Sequence, residues 1–316
     1  MSAIVYLDQN HWIGLAQARH APDKIADPDE RSAAVWLSAQ LRSGELVSPL
    51  SIAHFHETHN KRDLSQRRRL AEVMMDLGGE LYMRAPNSLQ LCEWSAALAP
   101  ASSAMPDRRV AFSTNANVVN GTDATPGGGS ELGSEFERWS AGAAFGMMLT
   151  DLVIPGELAA PGAAAVQGWV AEMARVRDVI VAENTPKEKR QLVAAYRLLQ
   201  DIRMPLVDAG VSRDAIIAYM LSIAGDKGAQ LLKDVRSLPY TGRFSEVLAE
   251  RWASTNDGWS DHDLFDLMYL SCAAGYADYV VSEKKMAHML RKVENRVPPG
   301  AAVVPKLKDL RARLEG

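Results

Sequence analysis

Two short apolar runs, each closing on an acid, constrain this chain more than any other feature. Ala3-Ile4-Val5-Tyr6-Leu7 is rich in β-branched and aromatic residues and stops at Asp8-Gln9-Asn10, where Asp and Asn favour turns. It predicts a buried strand with Asp8 at its carboxyl end. Ala33, Trp36, Leu37 and Leu41 recur at helical spacing and predict a helix over Asp29–Arg42, with Gly44 as its stop. Glu45–Leu50 predicts a second strand, followed by helices from Ser51 and over Ser65–Leu77, and Leu81-Tyr82-Met83 suggests a third strand. The far end repeats the order: a helix from about Asp261 to Ala274, a strand at Tyr279–Ser282, a helix over Glu283–Glu294, a strand at Ala302–Val304 and a closing helix from Lys306. Such alternation is how a parallel sheet flanked by helices is written in sequence, so the expected class is α/β.

The middle of the chain breaks this rhythm. Amphipathic segments at Ala141–Leu152, Ala164–Val181 and Lys187–Leu199 predict helices, and residues 87–237 read as a large helical insertion between two parts of one α/β core, 1–86 and 238–316. The Gly-, Ser-, Thr- and Asn-rich stretch Ser113–Ser134 is expected to be a mobile loop. With 316 residues, the chain is long enough to bury a full core. No run of eighteen apolar residues occurs, and MSAIVYLDQNH has no leader pattern, so a cytoplasmic location away from membranes is expected. The only cysteines, Cys92 and Cys272, are far apart in apolar helical contexts and read as core residues rather than a disulfide or zinc site.

Acids at the carboxyl ends of parallel strands can converge although distant in sequence. Asp8 ends the first strand, Glu57 lies on the helix after the second, Asp266 lies in the helix before the next strand, and Glu283 follows that strand directly. Hard divalent cations prefer oxygen ligands, and a pair of them suits in-line phosphoryl displacement. Asp263 shares a helix face with Asp266 and is a further candidate ligand; its alternative role is to cap the helix that opens at Ser260-Asp261-His262-Asp263. Asn10 is a candidate for orienting Asp8, the alternative being a plain turn residue. Ser282 is either a cap for the helix at Glu283 or a contact to bound water or phosphate.

The string His54-Phe55-His56-Glu57-Thr58-His59 imitates a zinc protease, but His56 and His59 are three apart where that site needs four, so the histidines read as half-buried helix residues or phosphate contacts. Basic residues beside the acids are candidate contacts to a phosphate backbone: Lys61-Arg62, Arg67, Arg68 and Arg69 after the Glu57 helix, and Lys284, Lys285, Arg291 and Lys292 after Glu283. The net charge of −4 gives no global basic footprint, although an acidic site itself lowers the total. No Walker-type phosphate loop is present, which leaves nucleotide triphosphate hydrolysis without support.

IVYLDQN at the start, VSPLSIAHFHETH after it and DLFDLMYLSCAAGYADYVVSEKKM near the end together resemble the PIN-domain nucleases in order and spacing. The resemblance covers about Ser2–Ala85 and Tyr240–Gly316. It implies a PIN-like sheet and a Mg²⁺- or Mn²⁺-dependent phosphodiesterase acting on RNA, with Asp8, Glu57, Asp266 and Glu283 binding the metals. Expected partners are RNA, structured RNA such as tRNA included, a protein inhibitor or other protein, and a second copy of the chain. Two alternatives stay open: a catalytically dead PIN-like scaffold that binds a partner through the insertion, and a nuclease of the same fold directed at DNA.

Overall fold

The computed structural model describes residues 2–59, 63–78, 80–98, 107–120, 156–254 and 258–316. In chain order these form β1 (Ala3–Leu7), α1 (Gln9–His20), α2 (Pro28–Arg42), β2 (Leu46–Val47), α3 (Ile52–His59), α4 (Leu64–Gly78), β3 (Tyr82–Met83) and α5 (Pro86–Leu98). Next come α6 (Arg108–Ala111), β4 (Phe112–Ser113), α7 (Gly156–Ala182), α8 (Lys187–Asp208), α9 (Arg213–Gly225), α10 (Ala229–Ser237) and α11 (Pro239–Trp252). The chain closes with α12 (Asp261–Tyr276), β5 (Tyr279–Val281), α13 (Lys284–Val293), β6 (Ala302–Val304) and α14 (Leu307–Glu315).

Period-two alternation in β1 separates two cores. Ile4 and Tyr6 join Val280 of β5 on one face, packed against Tyr240, Phe244, Leu248 and Leu270 of α11 and α12. Val5 and Leu7 join Val281 and Val304 on the other, against Trp12, Leu15, Leu37, Leu70 and Leu310 from α1, α2, α4 and α14. Burial on both faces is why these strands read as continuous apolar runs. The sheet is four-stranded and parallel, in the order β2-β1-β5-β6. From β1 the chain moves outward to β2 and later returns to the other side of β1 as β5, so the strand order reverses between β1 and β5. The crevice outside the carboxyl ends of those strands is where such sheets bind ligands.

Several expectations are revised. Asp8-Gln9-Asn10 is no open turn: Asp8 caps α1 directly, its Oδ1 accepting from the Gln9 amide at 2.7 Å. The third strand, β3, lies outside the four-stranded sheet. It pairs antiparallel with β4, and Tyr82 makes an isolated parallel bridge to Leu50, three residues past the end of β2. The beginning of the expected mobile loop is ordered by burial, since Ser113 belongs to β4 and Ala116, Val118 and Val119 pack into the second core from a 3₁₀ turn at Ala116–Asn120. The rest of that loop, the segment Ala141–Leu152 and Lys61-Arg62 lie outside the described residues.

Helices α8, α9 and α10 build a third core around Trp94, Leu199, Ile202, Ile216 and Leu231. Buried Glu246 of α11 ties this region to the rest, accepting from Gln191 of α8 at 2.6 Å, Arg236 of α10 at 2.7 Å and Arg296 at 2.9 Å. Cys272 is fully buried whereas Cys92 is half-buried, and neither is in a disulfide. Among the described residues no helix is long and apolar enough to cross a membrane.

Candidate metal centre

Asp8, Glu57 and Asp266 meet at the crevice: one carboxylate oxygen from each lies within 4.8 Å of the others. Two oxygens on opposite sides of a cation bound at about 2.1–2.6 Å stand about 4.2–5.2 Å apart, so three such oxygens can face a single ion. The donors are all carboxylates, a set that suits a hard divalent cation rather than a thiolate or imidazole metal site.

Each acid is aimed by its own element. Asp8 sits where β1 turns into α1 and is 9% exposed. Its second oxygen faces the Glu283 amide at 3.4 Å, so the carboxylate lies against the N-termini of both α1 and α13, where backbone dipoles favour negative charge.

Glu57 is aimed by a neighbour three residues earlier. His54 is buried in α3; its Nδ1 accepts from the Ser51 amide at 3.1 Å, and its Nε2–H donates to the Leu7 carbonyl at 2.8 Å. The ring also stacks on Tyr6, with centroids 5.1 Å apart. Burial holds this imidazole neutral, its pKa pushed down to about 4, which keeps that donor and acceptor pattern fixed. Residues three apart share a helix face, so pinning His54 to Leu7 brings Glu57 to the next residue along, Asp8.

Asp266 depends on how α12 starts. Ser260 and Asp263 form a capping box, with the Ser260 amide and hydroxyl donating to Asp263 Oδ2 at 2.7 and 2.9 Å. Buried Arg251 donates to the other Asp263 oxygen at 3.1 Å and stacks on Trp259 at 4.6 Å. Both oxygens of Asp263 are thereby engaged. The structure realises the capping alternative, and Asp263 stands outside the group of three converging acids. Asp263→Asn should accordingly weaken the fold by about 2 kcal/mol, through the impaired cap and the buried guanidinium it serves, while Mn²⁺ affinity by titration calorimetry stays within about threefold, less than the 10–100-fold that loss of even an outer-sphere partner costs.

Glu283 lies beside the three acids as the N-cap residue of α13, exposed, with Oε1 accepting from the Asn10 side chain. Asn10 therefore orients Glu283 and not Asp8. Ser282 is fully buried with its hydroxyl unpartnered among the described residues, and the cap position of α13 belongs to Glu283 rather than to Ser282. Lys284 and Lys285 are both exposed, and of the two only Lys285 is among the residues lining the crevice. On α4, Arg67 is largely buried and Arg68 is exposed; neither lines the crevice.

Crowding of negative charge shows in the titration of the cluster. Burial, followed by the charges of Asp8, Glu283 and Asp263, pushes Asp266 up to about 7. Burial, opposed by the Gln9 and Glu283 amides and helped by the Glu283 charge, pushes Asp8 up to about 6. Two carboxylates that hold their protons near neutrality are what a cation-binding pocket becomes when the cation's charge is removed.

Sequence reasoning missed His54 as the anchor of Glu57, Arg251 as the partner of Asp263, and His262, which lines the crevice. His262 had a readable signal, its spacing of four from Asp266. No protein-family model, no curated protein and no solved structure matches the chain. Fold and site together define an α/β protein with a four-stranded parallel sheet and a carboxylate cluster that could hold a metal ion at its strand-order reversal.

Proposed function

We propose that this chain is a Mg²⁺- or Mn²⁺-dependent endoribonuclease of PIN-like type, with residues 1–86 and 238–316 as the nuclease core and 87–237 as an insertion that shapes substrate choice. The observation that carries the reading is the convergence of Asp8, Glu57 and Asp266, separated by up to 258 positions in sequence, within 4.8 Å at the carboxyl ends of parallel strands.

When bound, a divalent cation supplies Lewis acidity toward the phosphate and a lowered pKa for the attacking water. Asp8, Glu57 and Asp266 hold that charge in place. Glu283, oriented by Asn10, adds negative charge at the rim of the same crevice and is the candidate to order the attacking water or complete the ligand set. Lys285 lies where a non-bridging phosphate oxygen would be drawn in, which steers the scissile bond toward the acids.

The test is incubation of the purified chain with end-labelled single-stranded RNA, tRNA, single-stranded DNA and branched DNA in Mn²⁺, Mg²⁺ or EDTA. Internal cleavage of RNA that requires the metal is the expected result. Cleavage confined to DNA would move the activity to the DNA-directed alternative, and tight, metal-independent RNA or protein binding without cleavage would replace the enzyme by a scaffold.

A further inference from the structure

The crevice lined by Asp8 and Asp266 also holds a group that the metal chemistry does not use. Its volume is about 290 Å³, and its lining includes Asp8, Asp263, Asp266, Glu283, Lys285 and His262. His262 lies in the first turn of α12, four residues before Asp266, so the two side chains share one face of the helix one turn apart. Asp266 faces the cluster, and His262 therefore overhangs the same crevice toward solvent. Its side chain is exposed, and among the described residues no hydrogen bond or ion pair engages its ring.

We propose that His262 is the proton donor to the leaving oxygen of the scissile phosphodiester, an inference that rests on the nuclease reading above. In the step, the oxygen of the attacking water bonds to phosphorus as the bond from phosphorus to the leaving ribose oxygen breaks. The imidazolium N–H of His262 passes its proton to that oxygen, which departs as a hydroxyl. The water's surplus proton goes to solvent, and solvent reprotonates the ring, so the net reaction is hydrolysis with no further reactant.

The choice among the crevice groups follows from their chemistry. Carboxylates serving as cation ligands are ionised and have no proton to give. A lysine ammonium holds its proton far above neutrality as a residue type, whereas an imidazole carries a transferable proton near it, where general acid catalysis is most effective.

The experiment compares wild type with His262→Ala and His262→Gln on two oligoribonucleotides. One has an all-oxygen backbone, and the other carries a single bridging sulfur as leaving atom at the mapped cut, which departs as a thiolate without protonation. Both variants should cleave the all-oxygen strand about 100-fold more slowly, the lower range for loss of a general acid, and the sulfur-bridged strand within about threefold of wild type. Mn²⁺ affinity by calorimetry should be unchanged, which separates proton donation from metal binding. Equal losses on both strands, or none on either, would overturn the role of His262 and leave the nuclease reading standing. A wild type that cleaves neither strand in Mn²⁺ sinks the nuclease reading and this inference with it.

Discussion

Asp266→Asn is expected to reduce Mn²⁺-dependent cleavage by about 100-fold or more, beyond the loss that follows from removing an outer-sphere partner, while making the metal-free protein more stable at pH 8. The two effects have one cause. Asp266 is held up at about 7 by burial and by the neighbouring charges of Asp8, Glu283 and Asp263, against an unfolded value near 3.8. A carboxyl raised in this way favours folding fully below its unfolded pKa and loses that contribution as pH climbs through its folded pKa, because the native state retains a proton the unfolded chain has released. Between about pH 4 and pH 8 the wild type should thus lose stability, on the order of 2 kcal/mol from this residue after allowing for solvent access to the crevice. Asparagine has no proton to lose, so the variant should melt about 4 °C higher than wild type at pH 8 without metal and show no such advantage at pH 4. Saturating Mn²⁺ should reverse the order: the wild type gains about 2.7 kcal/mol at a hundred times the dissociation constant, and the variant gains little. Cation affinity in the wild type should rise from pH 5 to pH 8 as Asp8 and Asp266 release their protons. Differential scanning calorimetry across that pH range, with and without Mn²⁺, reads every sign. An Asp266→Asn protein less stable than wild type at pH 8 in EDTA would show that the acid cluster is not a store of repulsion.

The part of this site legible in the sequence was the part fixed by topology. Strand ends in a parallel sheet share one edge, so Asp8 could be placed near the acids around β5 from position alone. What escaped notice depends on side chains meeting across unrelated elements. Asn10 reaches Glu283 over 273 positions, and Arg251 reaches Asp263 from the preceding helix. Asp263 is instructive because its two readings drew on the same residues. Three-residue spacing from Asp266 serves a shared ligand face, and three-residue spacing from Ser260 serves a capping box. The second won because a cap satisfies backbone amides already at hand, and Arg251 holds the remaining oxygen.

The fold shows the same division. Alternation in β1 and the apolar run in β5 disclosed buried strands, yet α1 was hidden behind Asp8-Gln9-Asn10. An aspartate that starts a turn and one that caps a helix look alike until the following residues are weighed, and α1 has only a weak apolar stripe around Trp12, Leu15 and Ala16. β3 was visible as a strand, but its antiparallel partner, Phe112–Ser113, is only two residues long and ends on Ser113, the first residue of what composition marked as a loop region. His54 was the least readable. Its place in a string that imitates a zinc site drew attention to metal spacing, while its actual work is to bond the Leu7 carbonyl and thereby set Glu57 beside Asp8.

Glu93→Ala should cost about 3–5 kcal/mol of stability, because it strips the acceptor from several buried donors at about 1–3 kcal/mol for each one left unsatisfied. Glu93 lies on α5, is fully buried, and serves as a cap supplied from outside the helix it caps. Its oxygens accept from the Tyr240 and Thr241 amides at 2.7 and 2.8 Å, at the start of α11, and from the Thr241 and Tyr276 hydroxyls at 2.6 and 2.7 Å. Leu238, the residue at the cap position of α11, contributes no side-chain hydrogen bond, so without Glu93 these two amides lose their partner in a place water cannot easily reach. Burial raises the Glu93 pKa even against four donors, which marks the carboxyl as costly to hold and costlier to remove. Because Tyr276 ends α12, the same carboxyl also fixes the far end of the helix that carries Asp266. Glu93→Gln, which keeps the shape and one acceptor oxygen, should lose less than half as much. Both variants are compared with wild type by urea unfolding, and a Glu93→Ala midpoint shift worth under about 1 kcal/mol, the scale of an ordinary surface change, would mean that α11 is held by apolar packing alone.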